Sequence, residues 1–176
     1  MKIMNVEYVY LQLYRLFDKS TPIAADCGRL CDKRCCHGDE CGMYLFPGEE
    51  RVFKLLKPDW ASIEKSDFVY EFDGKKKSVP ILFCKGSCDR YQRPLACRIF
   101  PLTPYINDEG KAEIIIDPRA KSMCPLAKTL DTSDFDRKFF RNVKRAFSVL
   151  IKNREIAEYL KSYSQYIDEY KKFFKE

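Results

Sequence analysis

The chain of 176 residues has a single histidine, His37. One imidazole cannot make a His-based acid–base pair, and the hydrolytic zinc sites built mainly on histidine are excluded. Also missing are a Gly-x-Ser-x-Gly elbow, a phosphate-binding glycine-rich loop, a dinucleotide fingerprint and a His-Glu-x-x-His pair. The common hydrolase, nucleotide-binding and zinc-protease readings therefore have no motif to rest on. No apolar run approaches the roughly 18–20 residues of a membrane span. The opening segment MKIMNVEYVYLQLYRLF alternates polar with apolar residues and carries Glu7 and Arg15. It has neither the apolar stretch nor the small-residue cleavage site of an export signal, so a cytoplasmic protein with no membrane partner is expected. No internal repeat or low-complexity segment is present.

Charge is nearly balanced, with 32 Lys and Arg against 26 Asp and Glu, a net +6. An isoelectric point of 8.8 without an evident basic stripe is no nucleic-acid signature. Two four-thiolate metal sites would bring the loaded chain to roughly +2. Apolar residues make up 45% and charged residues 33%, the balance of one soluble globular domain over residues 1–176.

What the chain does have is cysteine, nine in all: Cys27, Cys31, Cys35, Cys36, Cys41, Cys84, Cys88, Cys97 and Cys124. A disulfide scaffold favours a shorter secreted chain and an even count. In a reducing compartment clustered cysteines read as metal ligands or redox groups, against the plainer alternative of inert core packing. The first cluster is Cys27-x-x-x-Cys31-x-x-x-Cys35-Cys36. Gaps of this size suit thiolate metal sites, and on a helix a spacing of four keeps Cys27, Cys31 and Cys35 on one stripe. Cys36 then points elsewhere, at the helix end or toward a second metal. The second cluster is Cys84-Lys-Gly-Ser-Cys88, followed by Cys97 and by Cys124 at the head of a Cys-Pro pair. Soft thiolates favour zinc or iron, including iron–sulfur clusters, over magnesium or calcium. Metal binding is expected to be coupled to folding. Weaker candidate ligands are His37, beside Cys36, and Cys41.

The rest of the chain supplies a frame. Residues 4–18 predict an amphipathic helix with Met4, Tyr8, Leu11 and Leu16 on its apolar stripe, widened by Val9, Leu13 and Phe17. Residues 48–57 predict a short helix stopped by Pro58. Phe68–Phe72 and Ser78–Phe83 predict a hairpin turning at Asp73-Gly74. Residues 112–116 predict a buried strand. From Ser133, with Asp136 as a capping box, Phe135, Phe139, Val143, Ala146 and Leu150 predict a helix. Ile156, Tyr159, Tyr163, Tyr166, Tyr170 and Phe173 continue it, with a break at Asn153. At helical spacing this aromatic stripe reads as core packing rather than a stacking platform. The fold class is α+β: an irregular cysteine-rich core over residues 27–124 with a small sheet, an N-terminal helix, and a helical layer over 133–176.

One stretch carries a resemblance. The first cysteine cluster, then Glu49 after Leu45, then two cysteines and Arg93-Pro94-Leu95-Ala96-Cys97-Arg98-Ile99-Phe100-Pro101, is similar to the YkgJ-type cysteine-cluster proteins, described as having a zinc- or iron-chelating domain. The similarity runs from Cys27 to Cys124. The chain departs from the pattern by one extra residue before the Cys35-Cys36 doublet and by the close spacing of Cys84 and Cys88. The resemblance implies a metal-chelating set of Cys27, Cys31, Cys35, Cys36, Cys84, Cys88, Cys97 and Cys124. It also implies a neighbouring role for Glu49. Arg93 and Arg98 flank Cys97, and cations there would offset thiolate charge or hold an anionic substrate. The same domain occurs in bacterial flagellin lysine methylase. Three readings of function follow: a zinc-stapled adaptor, an iron–sulfur redox or methyl-transfer enzyme, and a protein that stores or delivers metal. No protein partner can be named from the sequence.

Overall fold

The computed structural model describes residues 5–36, 42–85 and 88–174. The architecture is α+β, with six helices and two small antiparallel sheets among these residues. None of the described helices is long and apolar enough to cross a membrane.

Helix α1 (Val6–Arg15) begins at Asn5, whose side chain accepts the Glu7 N–H at 3.1 Å. Its buried face is Tyr10, Leu13 and Tyr14, continued by Phe17 in the turn beyond. Of the expected stripe, Leu13 and Phe17 are buried, whereas Tyr8 is 58% exposed and Leu11 39%, so its centre lies elsewhere. Met4 lies outside the described residues. The segment offers two overlapping apolar stripes, and the one at spacing 10, 13, 14, 17 wins because the tyrosine hydroxyls have buried acceptors: Tyr10 donates to the Pro47 carbonyl and Tyr14 to Glu49.

Strand β1 (Gly42–Tyr44) leads through a loop to α2 (Glu50–Leu56), which stops at Lys57 in the left-handed region with Pro58 beyond. The predicted hairpin forms, longer than expected: β2 (Ala61–Phe72) and β3 (Lys75–Cys84) pair around Asp73-Gly74, both at positive φ (50° and 70°). That geometry matches the twist of the strands and is why Asp-Gly signals a two-residue turn. β3 is central, with order β1-β3-β2. A proline in a central strand removes a ladder donor. Opposite Pro80, β2 bulges between Lys65 and Val69, and Ser66 Oγ donates to the Val79 carbonyl at 2.7 Å. The bulge delivers Phe68 to the aromatic face of the last helix, against Tyr159, Tyr163 and Tyr166.

Short helix α3 (Leu95–Ile99) precedes the second sheet, β4 (Leu102–Ile106) with β5 (Ala112–Ile116). β5 was expected and is half-buried at its Ile end rather than fully buried. A 3-10 turn over Pro118–Ser122 and helix α4 (Pro125–Thr129) follow. Helices α5 (Arg137–Leu150) and α6 (Arg154–Phe174) are separated at Asn153, whose side chain accepts the Glu155 N–H at 2.9 Å. The cap of α5 is Asp136, accepting the Phe139 N–H, and not Ser133. All five residues predicted for the α5 face are buried. On α6, Ile156, Tyr159 and Tyr163 are buried, whereas Phe173 is 80% exposed as the helix runs past the core. α6 packs on both β2 and β4, so it joins the two sheets. The main core lies between α1, α5, α6 and the sheets.

Candidate metal centre

The segment Cys27–Cys36 is not an α-helix. Two 3-10 turns, Cys27–Arg29 and Arg34–Cys36, are joined through Asp32 and Lys33, both left-handed at φ near 50°. Asp26 caps the first turn by accepting the Gly28 N–H at 3.1 Å. The Lys33 N–H donates to the Gly28 carbonyl and the Cys36 N–H to that of Lys33. This is a loop wound on its own backbone, and no residue from Cys27 to Cys36 is buried.

The other cysteines come from firmer elements. Asp89, next to Cys88, caps the turn Arg90–Gln92 through the Tyr91 N–H. Cys97 sits on α3, behind Pro94. Glu49, fully buried, holds that helix: its Oε1 accepts the Leu95 N–H and the Tyr14 hydroxyl, each at 2.6 Å, and its Oε2 accepts the Phe46 N–H at 3.1 Å. Cys124 stands at the start of α4, with its N–H on the Ala120 carbonyl. The turn before it is pinned by Arg119, which pairs with Asp117 at 2.5 Å, donates to the Tyr163 hydroxyl, and lies over the Tyr163 and Tyr166 rings.

These elements surround one cavity of about 330 Å³. Cys27, Cys31, Cys35 and Cys36 line it from the first segment, Cys88 and Cys97 from the second, and Cys124 from the third. All of these are free thiols. Three of them, Cys27, Cys35 and Cys97, have thiols shifted upward. Partial shielding from water raises the Cys27 thiol, and the charges of Cys124 and Cys31 raise it further. Cys35 is raised first by its contact with Cys36, at 3.9 Å between sulfurs, then by partial shielding from water and by Cys27 and Cys31. Burial and the neighbouring Cys36 and Cys88 push Cys97 up strongly. These influences link the first segment to Cys124, Cys88 and Cys97 without dividing the set.

Arg93 donates from Nε to Cys88 Sγ at 3.0 Å, and the charges of Cys36 and Cys97 act on it as well. Arg90 also lines the cavity and favours the thiolate of Cys27. Arg98 does something else. Its guanidinium donates to the carbonyls of Arg93, Tyr14 and Tyr91, pairs with Asp18 at 3.3 Å and covers the Tyr14 ring. It clamps α1 to the loop before α3 and is spent on that contact. Glu49 is likewise committed to three donors. Cys84 ends β3 opposite Ala61 and is not among the residues lining the cavity. His37 and Cys41 lie outside the described residues. Arg90 was missed in the sequence, although its place two residues from Cys88 repeats the cation-near-cysteine pattern that marked Arg93.

Among the described residues no three His, Cys, Asp or Glu side chains close on a common point as a finished metal site does. The donor set nevertheless suits a soft cation: seven thiols line one cavity, with the guanidinium groups of Arg90 and Arg93 at hand. Compared with known proteins, the chain matches no family model, no curated protein and no solved structure.

Proposed function

We propose that this chain is a metal-binding protein that takes zinc or iron through the thiols of Cys27, Cys31, Cys35, Cys36, Cys88, Cys97 and Cys124. The observation that carries the reading is the convergence of seven cysteines, from three segments up to 97 residues apart in sequence, on one cavity. Inert core cysteines would be buried singly among apolar neighbours; these face one another, and Arg93 donates directly to one sulfur. The reading agrees with what the YkgJ-type resemblance implies, with Cys84 as the least supported ligand. Free thiols in such number belong in a reducing compartment, and we place the protein in the cytoplasm.

Seven thiols exceed the four that close one structural site, so two ions or a cluster would use the set more fully. That excess supports a second reading, an iron–sulfur enzyme of redox or group-transfer chemistry, over a purely zinc-stapled adaptor. Elemental analysis and an absorption spectrum of protein purified without oxygen test both. Zinc or iron bound at one or more per chain supports metal binding, and iron with sulfide and broad visible absorbance selects the cluster. Protein free of metal after anaerobic purification, and unable to take up Zn²⁺ or Fe²⁺ afterwards, would overturn the proposal.

A further inference from the structure

Away from the cysteines, α5 carries an unbalanced charge. Its residues Arg137, Lys138, Arg141, Lys144 and Arg145 are all exposed, and the helix contains no Asp or Glu. Five positive charges on one helix compare with +6 for the whole chain. The basic stripe that composition hid is therefore present on one element. Among the described residues, Arg137, Arg141 and Lys144 form no ion pair, and Lys144 Nζ lies 4.8 Å over the ring of Phe140, at the groove's edge.

Three of them, Arg137, Arg141 and Lys144, border an open groove of about 880 Å³ between α5 and β5. Lys111 stands on the opposite side, and the single carboxylate lining the groove, Glu113, is engaged by the Asn107 side chain at 2.8 Å. The floor is apolar, formed by Ile114, Phe140, Phe147 and Ile151. A concave apolar floor between two cationic edges suits a narrow ligand with apolar side chains and negative charge. A flat lipid surface would need the apolar face of α5, and that face is buried as Phe139, Val143, Ala146 and Leu150. A nucleic-acid backbone would use the cations but leave the apolar floor uncovered.

We infer that the α5–β5 groove is a docking site for an acidic peptide segment of a partner protein, with apolar side chains on the floor and carboxylates against Arg137, Arg141, Lys144 and Lys111. The groove is separate from the cysteine cavity: none of the residues named for it lines that cavity. The inference therefore stands whether or not the metal is zinc or iron.

Panning a random peptide library displayed on phage against the full-length protein tests it, with the double variant Arg141→Glu/Lys144→Glu as counter-target. Both side chains are exposed, so the variant should keep the wild-type circular dichroism and melting temperature. The expected result is enrichment of peptides combining Asp or Glu with Leu, Ile or Phe. A synthetic copy of the most enriched peptide should bind the variant at least about tenfold more weakly and lose affinity as salt rises. Enrichment of peptides without acidic residues, no enrichment at all, or equal binding to the variant would overturn the inference. So would charge-dependent binding to phosphatidylserine vesicles or single-stranded DNA with no acidic peptide selected.

Discussion

The carboxylate of Glu49 accepts the backbone N–H of Leu95 at 2.6 Å, two residues ahead of Cys97. A side chain expected to play a supporting role beside the cysteines thus serves as the buried anchor of the helix that carries Cys97. It ties three parts of the chain together: the Leu95 N–H, the Tyr14 hydroxyl on α1, and the Phe46 N–H in its own loop. Replacing it by glutamine keeps the volume but turns an amide N–H₂ toward one of three donors. An opposed buried donor costs about 1–3 kcal/mol. Glu49→Gln is therefore expected to lower unfolding free energy by that amount in urea titrations, with the metal stoichiometry per folded chain unchanged. Loss of metal without loss of stability would show that Glu49 holds the metal rather than the helix.

The same residue has a pH signature. Burial lifts the Glu49 carboxyl from its ordinary value of 4.5 to about 7, against the opposing pull of its hydrogen bonds and Arg98. The folded state therefore holds the proton more tightly than the unfolded state. Its contribution is fully present below about pH 4.5, declines as pH rises through 7, and is level above that. The difference in stability between wild type and Glu49→Gln, both metal-loaded, should move against wild type by about 3 kcal/mol between these limits. Urea titrations of both proteins at pH 5 and pH 8 measure it. A difference that does not change with pH would mean that Glu49 keeps its ordinary acidity.

The two arginines beside Cys97 look equivalent in sequence and separate in the structure. Arg93 reaches a sulfur, and Arg98 reaches three carbonyls and Asp18. Arg93→Gln should weaken metal binding by about 10–100-fold, the range for groups that support metal ligands, with little change in melting temperature. Arg98→Gln should lower the melting temperature and leave the metal affinity of the folded protein near wild type. Competition with a chromophoric chelator and a thermal melt on each variant make the comparison. Identical effects from both substitutions would contradict the division.

How much of this was legible in the sequence follows from the range of the interactions involved. The Asp73-Gly74 hairpin, α2 and the α5 face depend on local residue types, and each was readable. β4 was not read, because Pro104 interrupts its pattern and its pairing with β5 is what makes it a strand. The helical stripe expected for Cys27, Cys31 and Cys35 gave way to two tight turns because Asp32 and Lys33 take left-handed conformations that no local rule demands. Seven of the eight cysteines expected as ligands line one cavity. Their convergence needed the fold, since Cys124 reaches that cavity at the end of the turn that Arg119 pins under α6. Cys84 fell within the same spacing pattern and was set apart by its place at the end of β3.

That placement makes Cys84 a control. Cys84→Ser is expected to retain the metal content of wild type, whereas Cys36→Ser or Cys97→Ser, at residues lining the cavity, should lower it. Metal per chain, measured on each purified variant by mass spectrometry, decides it. A Cys84→Ser variant that loses as much metal as Cys97→Ser would return Cys84 to the ligand set and require the strand end to move toward the cavity.

Removing the metal should act first on the segment Cys27–Cys36, none of whose residues is buried. Between Cys27 and Cys36 no side chain is buried, and the segment is organised by two short turns and an Asp26 cap. Its own apolar contacts are therefore few, and bonds from its four cysteines to metal would be its main attachment to the rest of the fold. The helices α5 and α6, packed through Phe139, Tyr159 and Ile167, do not depend on those bonds. Treatment with a strong chelator under reducing conditions should leave most helical circular dichroism in place. It should speed tryptic cleavage after Arg29, Lys33 or Arg34 by at least about tenfold, because cleavage tracks the population of the opened segment. Re-addition of the native metal should restore resistance. Cleavage at these sites that is equally fast with and without metal would mean that the thiols do not hold the segment, and global loss of helix on chelation would mean that the metal supports the whole fold.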